Sequence, residues 1–196
     1  MTAAVMNSKK MKADIRKQCL ARRDAIHVEQ RLEKSLAIST YAGQALTFSP
    51  GTILSGFFPI RSEPDIRPLM SNMKAHGARL CLPVVMDKET IVFRELVLGA
   101  ELVNTGFGTR GPGPDATELD PEIMLVPLAA FDDKGNRIGY GAGHYDRAIA
   151  RLRRKSRPPR LIGIAFDCQE VPQVPFEPHD VALDAIVTES GLRQFR

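Results

Sequence analysis

Gly139, Gly141 and Gly143 lie between an apolar run and the start of a short amphipathic helix, and that junction limits the possible folds more than any other stretch of the chain. The run IMLVPLAAF (123–131) reads as a buried strand, and HYDRAIARL has the spacing of a helix with one apolar face. A strand feeding a glycine turn and then a helix belongs to an α/β architecture. The junction also has the makings of a phosphate site. Glycines let the backbone approach a ligand with no Cβ in the way, and the free N–H groups of a first helical turn carry roughly half a positive charge. Arg137 and Arg147 flank the loop as cations for phosphate oxygens, and Asp146, the carboxylate of the first turn, is placed to hold a metal beside a nucleotide. Neither the Rossmann spacing nor the Walker lysine is present. A plain structural turn accounts for three glycines about as well.

The rest of the chain alternates in the same way. A basic helix is expected over about 12–26 with Ile15, Cys19 and Ile26 toward the core, and a second over about 28–46 with Leu32, Leu36, Gly43 and Leu46 on one face. TILSGFF (52–58) reads as a strand and 64–77 as a helix ending at Gly77. Strands follow at 79–85 and 91–96, then an irregular Gly- and Pro-rich loop over 99–121 of the kind that bears function. After the glycine loop come strands at 160–166 and 184–189. Strands alternating with helices predict a single α/β domain over 1–196: a largely parallel sheet with helices on both faces and an N-terminal helical arm.

Composition narrows the class. The 196 residues (21.6 kDa, 43% hydrophobic) are enough for one real core. No apolar run approaches the ~18 residues that span a bilayer, and the N-terminus lacks the pattern of a secretory signal. The three widely spaced cysteines, Cys19, Cys81 and Cys168, form no metal-ligand pattern and read as reduced, so a cytoplasmic protein is expected. The net charge of +4 suits an anionic substrate and is too weak to demand nucleic acid.

Ligands of α/β sheets sit at the carboxyl ends of strands, where the glycine loop falls. The strand over 52–58 delivers PIRSEPD there, with Arg61, Glu63 and Asp65. The strand ending near Phe166 is followed by DCQEVPQVPFEPHD, with His179 and Asp180. Each has a structural alternative: Glu63 as a neighbour of a helix N-terminus, His179 and Asp180 as a hydrogen-bonded turn. Lys9, Lys10, Lys12, Arg16, Lys17, Arg22 and Arg23 crowd the first helix and on charge alone read as a solvated face, with a phosphate or nucleic-acid patch second. The cluster over 147–160 reads as a solvated helix end and loop.

FDDKGNRIGYGAGHYDR (131–147) resembles the motif FD-x-x-G-x-R-L-G-x-G-x-G-Y-Y-D-R of the 5-formyltetrahydrofolate cyclo-ligase family, also called methenyltetrahydrofolate synthetases. KADIR (12–16) is similar to the K-x-x-x-R of the family's first helix, FFPIRSE to its aromatic loop with a glutamate, and HDVALDAIVTE to its C-terminal motif, so the likeness runs from about 12 to 189. The chain departs from the family pattern at His144 for a tyrosine, Leu128 for a glycine and GPGP (111–114) for a Glu-Pro dipeptide, changes that touch substrate packing rather than phosphates.

The resemblance implies a fold shared with sugar-phosphate isomerases and CoA transferases. It also implies an ATP- and Mg²⁺-dependent ligase that turns 5-formyltetrahydrofolate, with one glutamate or a polyglutamate tail, into 5,10-methenyltetrahydrofolate, ADP and phosphate by phosphorylating the formyl oxygen. The residues it implies for ATP are Lys12, Ala13, Asp14, Ile15 and Arg16 with Arg137, Ile138, Gly139, Tyr140, Gly141, Ala142, Gly143, His144 and Tyr145. Phe58, Glu63, Tyr140, Gly141, Ala142, Gly143 and His144 fall to the substrate, and Asp146 and Asp180 to the metal. Arg137, Tyr140, Lys12 and Arg16 are the catalytic set, working by positioning and charge neutralisation. A monomer without membrane or nucleic-acid partners is expected. Two alternatives stay open: a phosphosugar isomerase or CoA-transferase-like enzyme of the same fold, with an isolated acid/base and no Mg²⁺ dependence, and an RNA binder with a steep salt dependence.

Overall fold

The computed structural model describes residues 3–97, 99–106, 108–155, 158–178 and 180–195. Its strands are β1 (Ile53–Ser55), β2 (Arg79–Val85), β3 (Ile91–Glu95), β4 (Leu102–Asn104), β5 (Arg110–Pro112), β6 (Ile123–Pro127), β7 (Ala130–Phe131), β8 (Arg137–Ile138), β9 (Arg160–Ile164), β10 (Ala185–Thr188) and β11 (Gly191–Gln194). Seven of them form one sheet in the order β11-β10-β9-β6-β1-β2-β3. The five inner strands run parallel, and β3 and β11 close the edges antiparallel.

The sheet is covered on both faces, as alternating residues of one strand show. Leu125 of β6 joins Leu54, Leu80, Leu82, Ile162 and Ile164 beneath α2 (Val28–Ala45) and α3 (Arg67–Ala75). Its neighbours Met124 and Val126 point the other way, to Ala148, Ile149 and Leu152 of α4 (His144–Arg153). The period of two in a strand therefore builds two cores from one sheet. Gly163 of β9 leaves room for Leu183 and Leu128, whose atoms would lie 2.6 Å and 3.0 Å from a Cβ there. The first helix, α1 (Ala3–Asp24), forms a smaller cluster through Cys19 with Ala130, Ile138 and Val174, and Ile15 packs against it.

Several sequence expectations change here. The second helix does not bury Leu32 and Leu36, which are 57% and 49% exposed; it buries Ser35, Ile38 and Ala42. Ser35 explains the rotation. Its hydroxyl donates to Arg31 O (2.7 Å) and accepts the Asp65 N–H (3.0 Å), so a small polar side chain is needed where the loop after β1 meets the helix. The run 123–131 is two strands, because the chain leaves the sheet after Pro127 and β7 pairs with β8 instead. The loop 99–121 contains the β4–β5 hairpin, turned at Gly106 and Gly108, both with positive φ. Gly77 ends α3 as expected: it takes φ +93°, and the Ala78 N–H reaches Met73 O (3.1 Å).

Candidate active site

The parallel strands end on one side of the sheet, and the segments leaving β1 and β6 meet there around a cavity of about 270 Å³. Phe57, Phe58, Ile60 and Glu63 come from the loop after β1. Pro83, Val85 and Ile91 come from β2 and β3, and Arg137, Gly139, Tyr140, Ala142, Gly143, His144, Tyr145 and Asp146 from the glycine loop and the start of α4. Thr109 and Arg110 close the wall from the hairpin. The long Gly/Pro segment thus reaches the site, as a loop of that composition and length suggests.

Glu63 is only 5% exposed. Its Oε1 accepts from the Tyr140 hydroxyl and its Oε2 from the Ile60 N–H (2.9 Å). Burial pushes the Glu63 carboxyl up, against the pull of these hydrogen bonds and of the charges on Arg23 and Arg61. The Tyr140 phenol is pushed far above its usual range by burial and by the Glu63 charge. Asp65, the third residue of the expected set, serves structure instead: it accepts the Arg67 N–H (3.0 Å) and pairs with its guanidinium (2.6 Å) at the start of α3.

The glycine loop is built as its sequence suggests. Gly143 takes φ +69° and precedes α4, where a Cβ would lie 2.8 Å from Arg147 Nη1. Arg147 Nη2 donates to Ala142 O (2.6 Å) and its Nε to Glu89 O (2.7 Å), tying the loop to the β2–β3 turn rather than leaving a free cation. His144 Nε2 lies 3.1 Å from Lys88 O on the same turn. Arg16 Nε donates to Gly139 O (2.7 Å), and its guanidinium covers Gly141. Partial burial lowers the Arg16 pKa.

The cations expected at phosphates are already paired. Arg137 is 8% exposed and its Nη2 contacts Asp146 Oδ1 (2.7 Å), while its Nε has no partner among the described residues. Lys12 Nζ contacts Asp180 Oδ2 (2.5 Å) and Glu177 Oε2 (3.1 Å). Lys12, Arg16 and Asp180 stand outside the cavity lining, so the apolar pocket and the charged rim are separate zones. Ala13 and Asp14 are exposed on α1, and Ile15 and Ile138 turn into the small core around Cys19. His179 lies outside the described residues.

Leu128 was expected to alter substrate packing but is 1% exposed, inside the core against Gly163. Arg23, read as part of a solvated face, is 0% exposed and reaches Ser62 and Tyr140. The basic segment 147–160 is also less solvated than expected, since Arg151 Nη2 donates to Ile91 O (2.7 Å); Ser156 and Arg157 lie outside the described residues. Among the described residues no helix is long and apolar enough to cross a membrane.

The model of the 5-formyltetrahydrofolate cyclo-ligase family matches residues 8–189, almost the whole chain. The chain belongs to the 5-formyltetrahydrofolate cyclo-ligase family. It is accordingly an enzyme of the ligase class. The cyclo-ligase of Escherichia coli (strain K12) is 30% identical over 178 residues, covering 86% of this chain and 95% of that protein. The mouse cyclo-ligase is 24% identical, covering 97% of this chain and 98% of that protein. The NMR structure of the Aquifex aeolicus 5,10-methenyltetrahydrofolate synthetase superposes with a TM-score of 0.79 at 29% identity, covering 95% of this chain and 93% of that one. The fold is also similar to that of the Mycoplasma pneumoniae 5,10-methenyltetrahydrofolate synthetase, with a TM-score of 0.73 at 24% identity, covering 91% of this chain and 98% of that one.

Proposed function

We propose that this chain closes 5-formyltetrahydrofolate to 5,10-methenyltetrahydrofolate at the expense of MgATP, releasing ADP and phosphate. The observation that carries this reading is one buried carboxylate, Glu63, held beside Phe57 and Phe58 in a cavity whose opposite wall is the glycine loop. A pterin is a flat heterocycle with adjacent N–H donors. It suits an aromatic wall with one carboxylate, and a phosphosugar does not.

The formyl oxygen takes the terminal phosphoryl group, with ADP leaving, to give an imidate phosphate; N10 then adds to that carbon and gives up its proton to water, and the C–O bond breaks as phosphate leaves. No covalent bond to the protein is needed, so its work is placement and charge. Glu63 holds the pterin edge. Arg137, at the cavity wall, neutralises charge that builds on the transferred oxygens. The backbone of the glycine loop and the first turn of α4 cradle phosphates, with Lys12 and Arg16 closing over them from α1.

Asp146 and Asp180 are the residues that would hold Mg²⁺. Their hard oxygens suit that ion. The described residues contain no group of three or more acidic, His or Cys side chains able to hold a metal, so phosphate oxygens and water would complete the shell, as is usual for Mg²⁺. Bound there, the ion would supply charge neutralisation to the phosphates.

The test mixes purified protein with 5-formyltetrahydrofolate and ATP, follows the absorbance of the methenyl product, and then titrates Mg²⁺ and adds chelator. Product formation that needs both ATP and Mg²⁺ is expected. A folded protein that gives no absorbance change would remove the proposal.

A further inference from the structure

Arg23 is the one cation of α1 placed wholly inside the protein, and every described partner it has leads toward Glu63 or back to its own helix. Its side chain is fully buried. Nε donates to Ser62 Oγ (2.9 Å) and Nη1 to Tyr140 Oη (2.6 Å), with the guanidinium carbon 5.7 Å from the centre of the tyrosine ring. A guanidinium has five donors and no acceptor, so both hydroxyls must accept from it and turn their own protons away. Tyr140 therefore gives its proton to Glu63 Oε1, and Ser62 gives its proton to Asp24 Oδ1. The Ile60 N–H supplies Glu63 Oε2. The polarity of the whole chain is set at the arginine end.

Stability is a poor explanation for this arrangement. A buried charge is costly unless all its donors are used, and Arg23 Nη2 has no partner among the described residues. Side chains of three elements meet there: α1, the loop after β1 and the glycine loop.

We propose that Arg23 is a positioning residue that, through the Tyr140 hydroxyl, fixes the direction of the Glu63 carboxylate presented to the pterin. It touches no substrate itself. The inference rests on the reading of Glu63 as the folate carboxylate. The groups that face Glu63 are Tyr140, the Ile60 N–H, Arg23, Arg61 and Tyr145. Burial raises the Glu63 carboxyl, and Arg23 is one of the charges that restrain it. Removing that charge should let Glu63 take up a proton at higher pH.

The experiment measures steady-state kinetics and Tm of the full chain for Arg23→Gln and Arg23→Lys, each alone and combined with Tyr140→Phe, with Glu63→Gln alongside. Arg23→Gln is expected to raise the folate KM about tenfold, to leave the ATP KM nearly unchanged, and to move the acid limb of folate kcat/KM to higher pH. Arg23→Lys keeps the charge but loses the fork, so it should restore the acid limb more fully than the KM. In the Tyr140→Phe background either change should add little to the folate KM, because the link is already cut.

Additive effects in that cycle would overturn the inference. So would losses in kcat and both KM values that simply follow Tm. Should Arg23→Gln fail to fold, Arg23→Lys with Tyr140→Phe completes the same cycle. An unchanged folate KM in Glu63→Gln overturns the reading of Glu63 itself. A raised KM there with ordinary folate kinetics in both Arg23 variants overturns only the role of Arg23.

Discussion

The cavity and the rim of the site are organised in opposite ways. In the cavity, both oxygens of Glu63 accept hydrogen bonds from the protein and the aromatic wall is in place, so this zone is organised by the protein itself. At the rim, the cations proposed for phosphate are already engaged: Arg137 with Asp146, Lys12 with Asp180 and Glu177, and Arg16 with the Gly139 carbonyl. On the proposed function, the two substrates therefore face different costs. A pterin would enter a preorganised pocket and lose little to rearrangement. On the proposed function a triphosphate would exchange existing ion pairs for its own, and two of the carboxylates it displaces, Asp146 and Asp180, are the ones proposed to take the metal.

The largest effect should come from Arg137, which belongs to both zones. Removing one preorganised donor from developing charge typically costs about 10²–10³ in kcat. Arg137→Ala is therefore expected to lower kcat by that much while folate binding without nucleotide, read by calorimetry, changes little. Asp146 is 26% exposed and can be hydrated when its partner goes, so the protein should stay folded. A variant with lost folate affinity and near-normal kcat would place Arg137 on the substrate side and dissolve the division.

Glu63 gives the next effect, with an opposite sign in stability. Losing a hydrogen bond to a charged group costs about 1.5–3 kcal/mol, so Glu63→Gln should raise the folate KM roughly ten- to hundredfold with the ATP KM nearly constant. Its carboxyl pKa is raised on folding, chiefly by burial. The sign follows: such a group contributes stability below its unfolded pKa and loses it as pH rises through the folded value. At neutral pH the ionised Glu63 is a burden on the fold. Glu63→Gln should thus melt higher than the parent at pH 7, each kcal/mol being about 2–4 °C, and the gain should vanish near pH 4. A lower Tm at pH 7 would show that Glu63 is held for stability instead.

The two zones were not equally legible in the sequence. The rim was readable because its parts are local: three glycines, Arg137 and Asp146 fall within one short segment, and Lys12 and Arg16 share a helix face. The inner parallel strands were readable from apolar runs, while β11 was hidden because a short edge strand of mixed polarity has no periodic signal. The cavity's support was hidden for a related reason. Arg23 sits in a run of cations whose ordinary reading is solvent, and only the tertiary meeting of α1 with Tyr140 and Ser62 buries it. Leu32 and Leu36 misled in the reverse sense, since Ser35 takes the inner face by a hydrogen bond to Asp65 that no hydrophobic pattern encodes.

The smallest effect is also the sharpest test of the rim. Glu177 and Asp180 contact the same ammonium, at 3.1 Å and 2.5 Å, yet the proposal gives them different fates. Glu177 only competes with phosphate for Lys12, whereas Asp180 hands Lys12 over and takes the metal. An ion pair with partial solvent access is worth about 0–1 kcal/mol, so Glu177→Gln should lower the ATP KM by no more than about fivefold. Asp180→Ala likewise removes one of the two carboxylates on the same lysine but also takes away a proposed metal ligand, and should raise the ATP KM and the Mg²⁺ requirement. The two substitutions therefore pull in opposite directions on one measured constant. If both weaken MgATP, Glu177 belongs with the metal. If both tighten it, Asp180 is a competitor alone and the metal must be held from elsewhere on the rim.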